Sequence, residues 1–208
     1  MAIELDYMEY ATDAAAQAAY VSNAGYTPNQ IPTMTSNTAP SGVASASTED
    51  SAGFAAWKAM DKNTETFWNT TANTNTGWLK YQFAAAKIIC QYTIMGFVDA
   101  TYSPKTWTFD GSNDNTDWTT IDTQTNIAFA SNEKKTFVCA NSTPYLYYRL
   151  NITVNGGAGT IAIWEWEMME KALQSFSEAT LKTQGSYALK GIAAITDSLN
   201  KTLTRTIT

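Results

Sequence analysis

Through the middle of the chain, apolar and polar positions alternate with a period of two. The run Trp78-Leu-Lys-Tyr-Gln-Phe83 alternates strictly, as does Thr106-Trp-Thr-Phe109, and Tyr145-Leu-Tyr-Tyr-Arg-Leu-Asn-Ile152 does so in part. Alternation of this kind predicts strands with one face buried and the other in water. Between the runs lie clusters of turn formers: Asp110-Gly-Ser-Asn-Asp-Asn115, Asn141-Ser-Thr-Pro144 and Asn155-Gly-Gly-Ala-Gly159. Short strands joined by such turns predict a β-sandwich or jelly roll over residues 36–170.

The flanks read differently. Residues 1–35 open with the Ala-rich run 11–21, where Thr12 is a candidate N-cap and Asp13 falls in the favourable first turn. A short helix is expected there, followed by a linker punctuated by Pro28, Pro32 and Pro40. Residues 171–208 hold two further strand-like runs, 181–190 and 203–207, around the polar turn 196–200. Two strands alone are barely stable, so they are expected to pair with a truncated second sandwich or with another subunit.

Composition sharpens the picture. The 208 residues are 44% apolar and 12% aromatic but only 15% charged, which suits β-strands with Thr-, Asn- and Ser-rich loops. Net charge is −6 and no Lys/Arg cluster stands out, so nucleic acid is not an expected partner. His is absent, which rules out Ser-His-Asp and Cys-His catalysis and disfavours zinc. The acidic N-terminus lacks the form of a signal peptide, and no apolar stretch reaches the roughly 18 residues of a transmembrane helix. Cys90 and Cys139 read as buried thiols, with a single bridge between them as the alternative.

Several ordered motifs resemble one family. They are Ser41-Gly-Val-Ala-Ser-Ala-Ser-Thr48, Ala55-Ala-Trp-Lys-Ala-Met-Asp-Lys-Asn-Thr-Glu-Thr-Phe-Trp68, Gly77–Phe83, Pro104–Trp118, Tyr145–Leu150 and Ile161-Ala-Ile-Trp-Glu-Trp-Glu167. In order and spacing they resemble the discoidin, or coagulation-factor C-type, domain, which includes the family-32 carbohydrate-binding modules. The resemblance implies a discoidin-like all-β jelly-roll sandwich with Trp68, Trp107, Phe109 and Trp118 in its core. It also implies a structural calcium ion on the loop from Ala59 to Thr66, held by Ala59, Asp61, Asn63 and Thr66 and completed by Glu165. The residue types agree with this, because Asp61, Asn63, Glu65 and Thr66 offer the oxygens that calcium takes. Lys62 stands where the family usually has Gly. The alternative is a loop closed by Asx-type hydrogen bonds without an ion.

Sugar contacts in such modules come from loops at one end of the sandwich. The matching residues are Phe54, Asn69, Tyr102, Lys105 and Asn155. Asn69 takes the place where galactose binders carry a His, and Lys105 that of an Arg. A glycosidase pair of Glu165 with Glu167 or Asp61 is set aside, because Glu165 is already assigned beside the loop and nothing marks a cleft. The segments 7–21 and 177–190 resemble parts of a β-sandwich module of phage proteins. The function implied is non-catalytic binding of cell-surface glycans by a phage virion or surface appendage, as a homo-oligomer among other virion proteins. The alternatives are a structural connector that only packs against such proteins and, more thinly, a membrane-binding domain.

Overall fold

The computed structural model describes residues 25–172 and the pairs 195–196 and 202–203. The helix expected over 11–21 lies outside the described residues, as do the runs 181–190 and 203–207 apart from Leu203.

Nine strands form the sandwich: β1 (Val43–Ala46), β2 (Trp68–Asn69), β3 (Gly77–Lys87), β4 (Ile89–Gly96), β5 (Pro104–Ser112), β6 (Thr119–Gln124), β7 (Lys134–Val138), β8 (Tyr145–Asn155) and β9 (Ala162–Glu170). They make a five-stranded sheet in the order β1-β3-β8-β5-β6 and a four-stranded sheet in the order β2-β9-β4-β7. Every pairing within them is antiparallel. This is the expected all-β discoidin-like sandwich.

The alternation of β3 decides its faces. Leu79, Tyr81 and Phe83 are buried, while Trp78, Lys80 and Gln82 are part-exposed. Trp107 and Phe109 of β5 and Tyr148, Leu150 and Ile152 of β8 join the core from the same sheet, and Tyr92, Ile94, Trp166 and Met168 join it from the other. Phe109 bridges the layers, with its ring 4.4 Å from Tyr92 and 5.4 Å from Tyr148. The polar tips of the buried rings are matched: Trp107 Nε1 donates to Tyr92 Oη at 3.0 Å, and Tyr92 Oη donates to Asp122 at 2.7 Å. Trp68 donates to the Thr48 carbonyl at 3.0 Å.

Trp118 departs from expectation. It is half-exposed rather than buried, because it follows the β5–β6 turn and lies under the Arg149 guanidinium, 4.1 Å from its ring centre. The Pro-rich stretch also does more than link. The compact unit runs from Thr27 to Glu170, Ile31 and Met34 are fully buried, and the Thr27 and Gln30 amides donate to β9 carbonyls. Cys90 and Cys139 are free thiols, the latter buried, and burial pushes the Cys139 thiol up to about 12.

In the second unit, Tyr26 and Lys171 form an antiparallel bridge, and β10 (Ile195–Thr196) pairs with β11 (Thr202–Leu203). Among the described residues, no helix is long and apolar enough to cross a membrane.

Candidate functional site

Two of the loop residues expected to touch sugar, Phe54 and Tyr102, belong to one aromatic cluster. Phe54 ends a single 3-10 turn (Ala52–Phe54), and Tyr102 ends another (Ala100–Tyr102). Between them lie Phe67, just before β2, and Phe97, just after β4. The ring centres are 4.8 Å apart for Phe54–Phe67, 4.6 Å for Phe67–Phe97 and 5.6 Å for Phe97–Tyr102. Trp164 closes the group, stacked on Phe97 at 5.0 Å and edge-on to Phe67 at 4.9 Å. All five rings are half-exposed.

Phe67, Phe97 and Trp164 were missed by sequence reasoning. Phe67 had a signal, since its neighbour Trp68 is fully buried and consecutive strand residues face opposite ways. Trp164 had none, because two-residue spacing from buried Trp166 places it inward. Ladder partners explain the difference: Met95 faces Glu165 whereas Gly96 faces Ile163. Trp164 is the extra residue of a bulge, which reverses the facing.

The other expected contacts are placed as follows. Asn69 pairs with Ala162 across β2–β9, and its Oδ1 is buried with no hydrogen-bond partner. Asn155 is only 5% exposed. Its Nδ2 donates to the Ala158 and Thr160 carbonyls at 2.9 and 2.7 Å, and its Oδ1 accepts from the Gly157 amide at 3.0 Å. Asn155 therefore holds the shape of its own loop. That loop rests on the Tyr102 turn, with Gly156 N–H bonded to the Ser103 carbonyl and Ala158 N–H to that of Thr101. Lys105 is half-exposed and lines an open hollow with Thr101, Ile127, Phe129 and Gly156.

The loop from Ala59 to Thr66 is closed by its own side chains. Lys62 takes a left-handed backbone, with φ of 59°, the conformation for which Gly is usually chosen. Asp61 Oδ1 accepts from the Asn63 amide at 3.0 Å and Oδ2 accepts from the Thr66 hydroxyl at 2.7 Å. Asn63 Oδ1 accepts from the Glu65 amide at 3.0 Å, so the Asx-type closure is present. Glu165 lies beside it at 6% exposure, and its Oε1 has no partner. Burial first, and then the Asp61 charge, raise the Glu165 carboxyl to about 8.

A buried carboxylate oxygen without a partner normally marks a missing proton donor or cation. Among the described residues, no three Asp, Glu, His or Cys side chains gather. The oxygens gathered there are the two carboxylates and the Thr66 hydroxyl, with the Lys58 ammonium 3.8 Å from Asp61 Oδ2. This all-oxygen set fits a hard cation such as calcium and not zinc.

A model of the F5/8 type C domain matches residues 43–166, more than half of the chain. The chain belongs to that family. None of the curated proteins matches it in sequence, whereas solved F5/8 type C and related sandwiches do match in structure. Chitosan-binding module 1 of a chitosanase/glucanase from Paenibacillus sp. IK-5 is 27% identical, with 64% of this chain and 97% of that chain covered at a TM-score of 0.52. Module 2 of the same enzyme, solved with chitotriose, is 22% identical, with 61% and 95% covered at 0.54. The family 32 carbohydrate-binding module of Clostridium perfringens NanJ, solved with galactose, is 19% identical, with 62% and 93% covered at 0.52. The F5/8 type C sandwich of this chain thus has the fold of carbohydrate-binding modules.

Proposed function

We propose that this chain is a non-catalytic glycan-binding module, carried by a phage virion or surface appendage, that meets cell-surface glycans with its loop end. The observation that carries the reading is the half-exposed aromatic group of Phe54, Phe67, Phe97, Tyr102 and Trp164 on this fold. Aromatic rings present the apolar faces on which the C–H side of a sugar ring packs, and a few placed polar groups then fix its orientation. The expected contact Asn69 adds nothing to this face, because its Oδ1 is buried and closed to a sugar hydroxyl. The virion setting rests on the resemblance of segments 7–21 and 177–190 to phage proteins. An open site of this kind binds weakly, so useful adhesion calls for several copies acting together, as a homo-oligomer docked on other virion proteins.

Calcium belongs to the same proposal. Asp61, Glu165, Thr66 and the Ala59 carbonyl would hold the ion, with Asn63 closing the turn. Its charge would offset the two neighbouring carboxylates and fix the loop that leads into Phe67.

A glycan array probed with the protein in multivalent form, with and without chelator, tests the reading. Selective binding that drops on Tyr102→Ala and Phe54→Ala is the expected result. A blank array from folded protein, or binding indifferent to both changes, overturns it in favour of a structural connector that packs against other virion proteins.

A further inference from the structure

We propose that the outer face of the five-stranded sheet carries a second ligand site, in which Lys80 and Arg149 together bind the carboxylate of an acidic sugar unit. The two side chains stand directly opposite each other in the β3–β8 ladder. Like charges at opposed positions repel, and a sheet normally avoids them. Here both are retained, and each is walled by an aromatic ring. Lys80 Nζ lies 4.8 Å from the Trp78 ring centre, and the Arg149 guanidinium lies 4.1 Å from that of Trp118. Trp78, Lys80, Asn115, Trp118 and Arg149 line one open hollow of about 190 Å³, large enough for one charged group and part of a ring.

The bonding of the two cations leaves donors unused. Arg149 donates through Nε to Asp110 at 2.9 Å, and no described residue takes its terminal nitrogens. Asp110 is 2% exposed and also accepts from Thr120 at 3.0 Å, so its charge is committed to that corner. Lys80 donates only to the neutral Asn115 amide oxygen, at 2.6 Å, and pairs with no described carboxylate. The Asp114 carboxylate in the adjoining loop is bound into its own turn by Ser112, Thr116 and Asp117. Lys80 and Arg149 against the buried Asp110 leave one positive charge in the lining of the hollow, with the Asp114 and Asp117 carboxylates exposed in the adjoining loop. Burial and the Arg149 charge both lower the Lys80 ammonium's pKa, a cost that a bound anion would relieve. A planar carboxylate suits the guanidinium fork, and the flanking indoles suit a sugar ring. A free anion would have no use for the indoles.

Titration of the full chain with trigalacturonate, followed by tryptophan fluorescence and calorimetry, tests the site. The expected result is saturable binding that weakens as NaCl rises from about 50 to about 500 mM and is not given by galactose. Lys80→Gln should weaken it roughly tenfold, the worth of one charge-assisted hydrogen bond, without lowering the melting temperature. Phe54→Ala and Tyr102→Ala should leave it unchanged, which separates it from the loop-end site. Absence of saturable binding, equal affinity in Lys80→Gln, or an equal response to citrate overturns the proposal.

Discussion

The Thr66 hydroxyl donates to Asp61 Oδ2 at 2.7 Å and fixes that carboxylate beside the buried carboxyl of Glu165. Lys58 Nζ, 3.8 Å from Asp61 Oδ2, offsets part of the Asp61 charge, but Glu165 is buried without a described cation of its own, so its charged form is disfavoured. Without a cation, Glu165 keeps its proton, with burial as the larger cause and Asp61 as the second.

The first prediction is a slope of stability with pH. Glu165 titrates at about 8 in the folded protein and at about 4.3 in an unfolded chain. Between these values the folded state holds a proton that the unfolded state has released, so stability falls as pH rises through the window. The lowered pKa values of Asp99, Asp114 and Glu133 act in the opposite sense, but their contribution fades only at acid pH below this window. Urea midpoints in chelator from pH 5 to 8 should therefore decline in the wild type and stay flatter in Glu165→Gln. Added calcium should remove the decline in the wild type alone. Parallel curves for the two proteins would refute the assignment.

A second prediction concerns the polar chain inside the core. Tyr92 Oη accepts from Trp107 and donates to Asp122, and burial together with that Asp122 bond raises its pKa. Tyr92→Phe leaves the indole N–H without an acceptor, which should cost about 1–3 kcal/mol. Denaturant unfolding measures it, and a loss below about 0.5 kcal/mol would mean that the indole finds another partner.

Much of this sandwich was legible because its strands obey local rules. Leu79, Tyr81 and Phe83 point inward as their alternation requires, and Trp68, Trp107 and Phe109 are fully buried where the family motifs place them. The failures come from nonlocal geometry. The bulge that turns Trp164 outward depends on the partner strand β4, which no window of β9 contains. Trp118 is drawn out of the core by a guanidinium from β8, far along the chain. Asn155 was legible as a turn residue, but its amide closes the loop through Ala158 and Thr160, an arrangement that residue type alone does not specify. Ile31 and Met34 were hidden by the surrounding prolines, which forbid regular structure but not burial.

A third prediction tests how the loop end is held together. A methyl group added at Gly156 would lie 2.4 Å from the Ala100 carbonyl oxygen and 2.7 Å from Thr101 Cα, both rigid backbone atoms. Gly156→Ala must therefore lift the 155–159 loop off the Tyr102 turn. Amide exchange should accelerate at Gly156 and Ala158, which donate to Ser103 and Thr101, while the amides of β3 and β4 keep their protection. Unchanged exchange at Ala158 would show that the two loops are not coupled by this contact.

The last prediction returns to Lys62, whose left-handed φ of 59° disfavours a residue with a β-carbon. Lys62→Gly relieves that strain but adds backbone freedom to the unfolded chain, and the two effects oppose each other. Where φ is positive the strain is the larger, so the exchange should stabilise the protein by about 0.5–1 kcal/mol. It also removes the positive charge of the residue that follows Asp61 in the chain, leaving Lys58 as the cation at that carboxylate, so any calcium-induced rise in melting temperature should grow. Thermal melts of both proteins with and without calcium separate the effects. A gain in chelator that calcium does not enlarge would confirm the strain and deny that the loop holds the ion. No gain in either condition would mean that the Asp61–Thr66 hydrogen bonds set the turn by themselves, whatever residue stands at position 62.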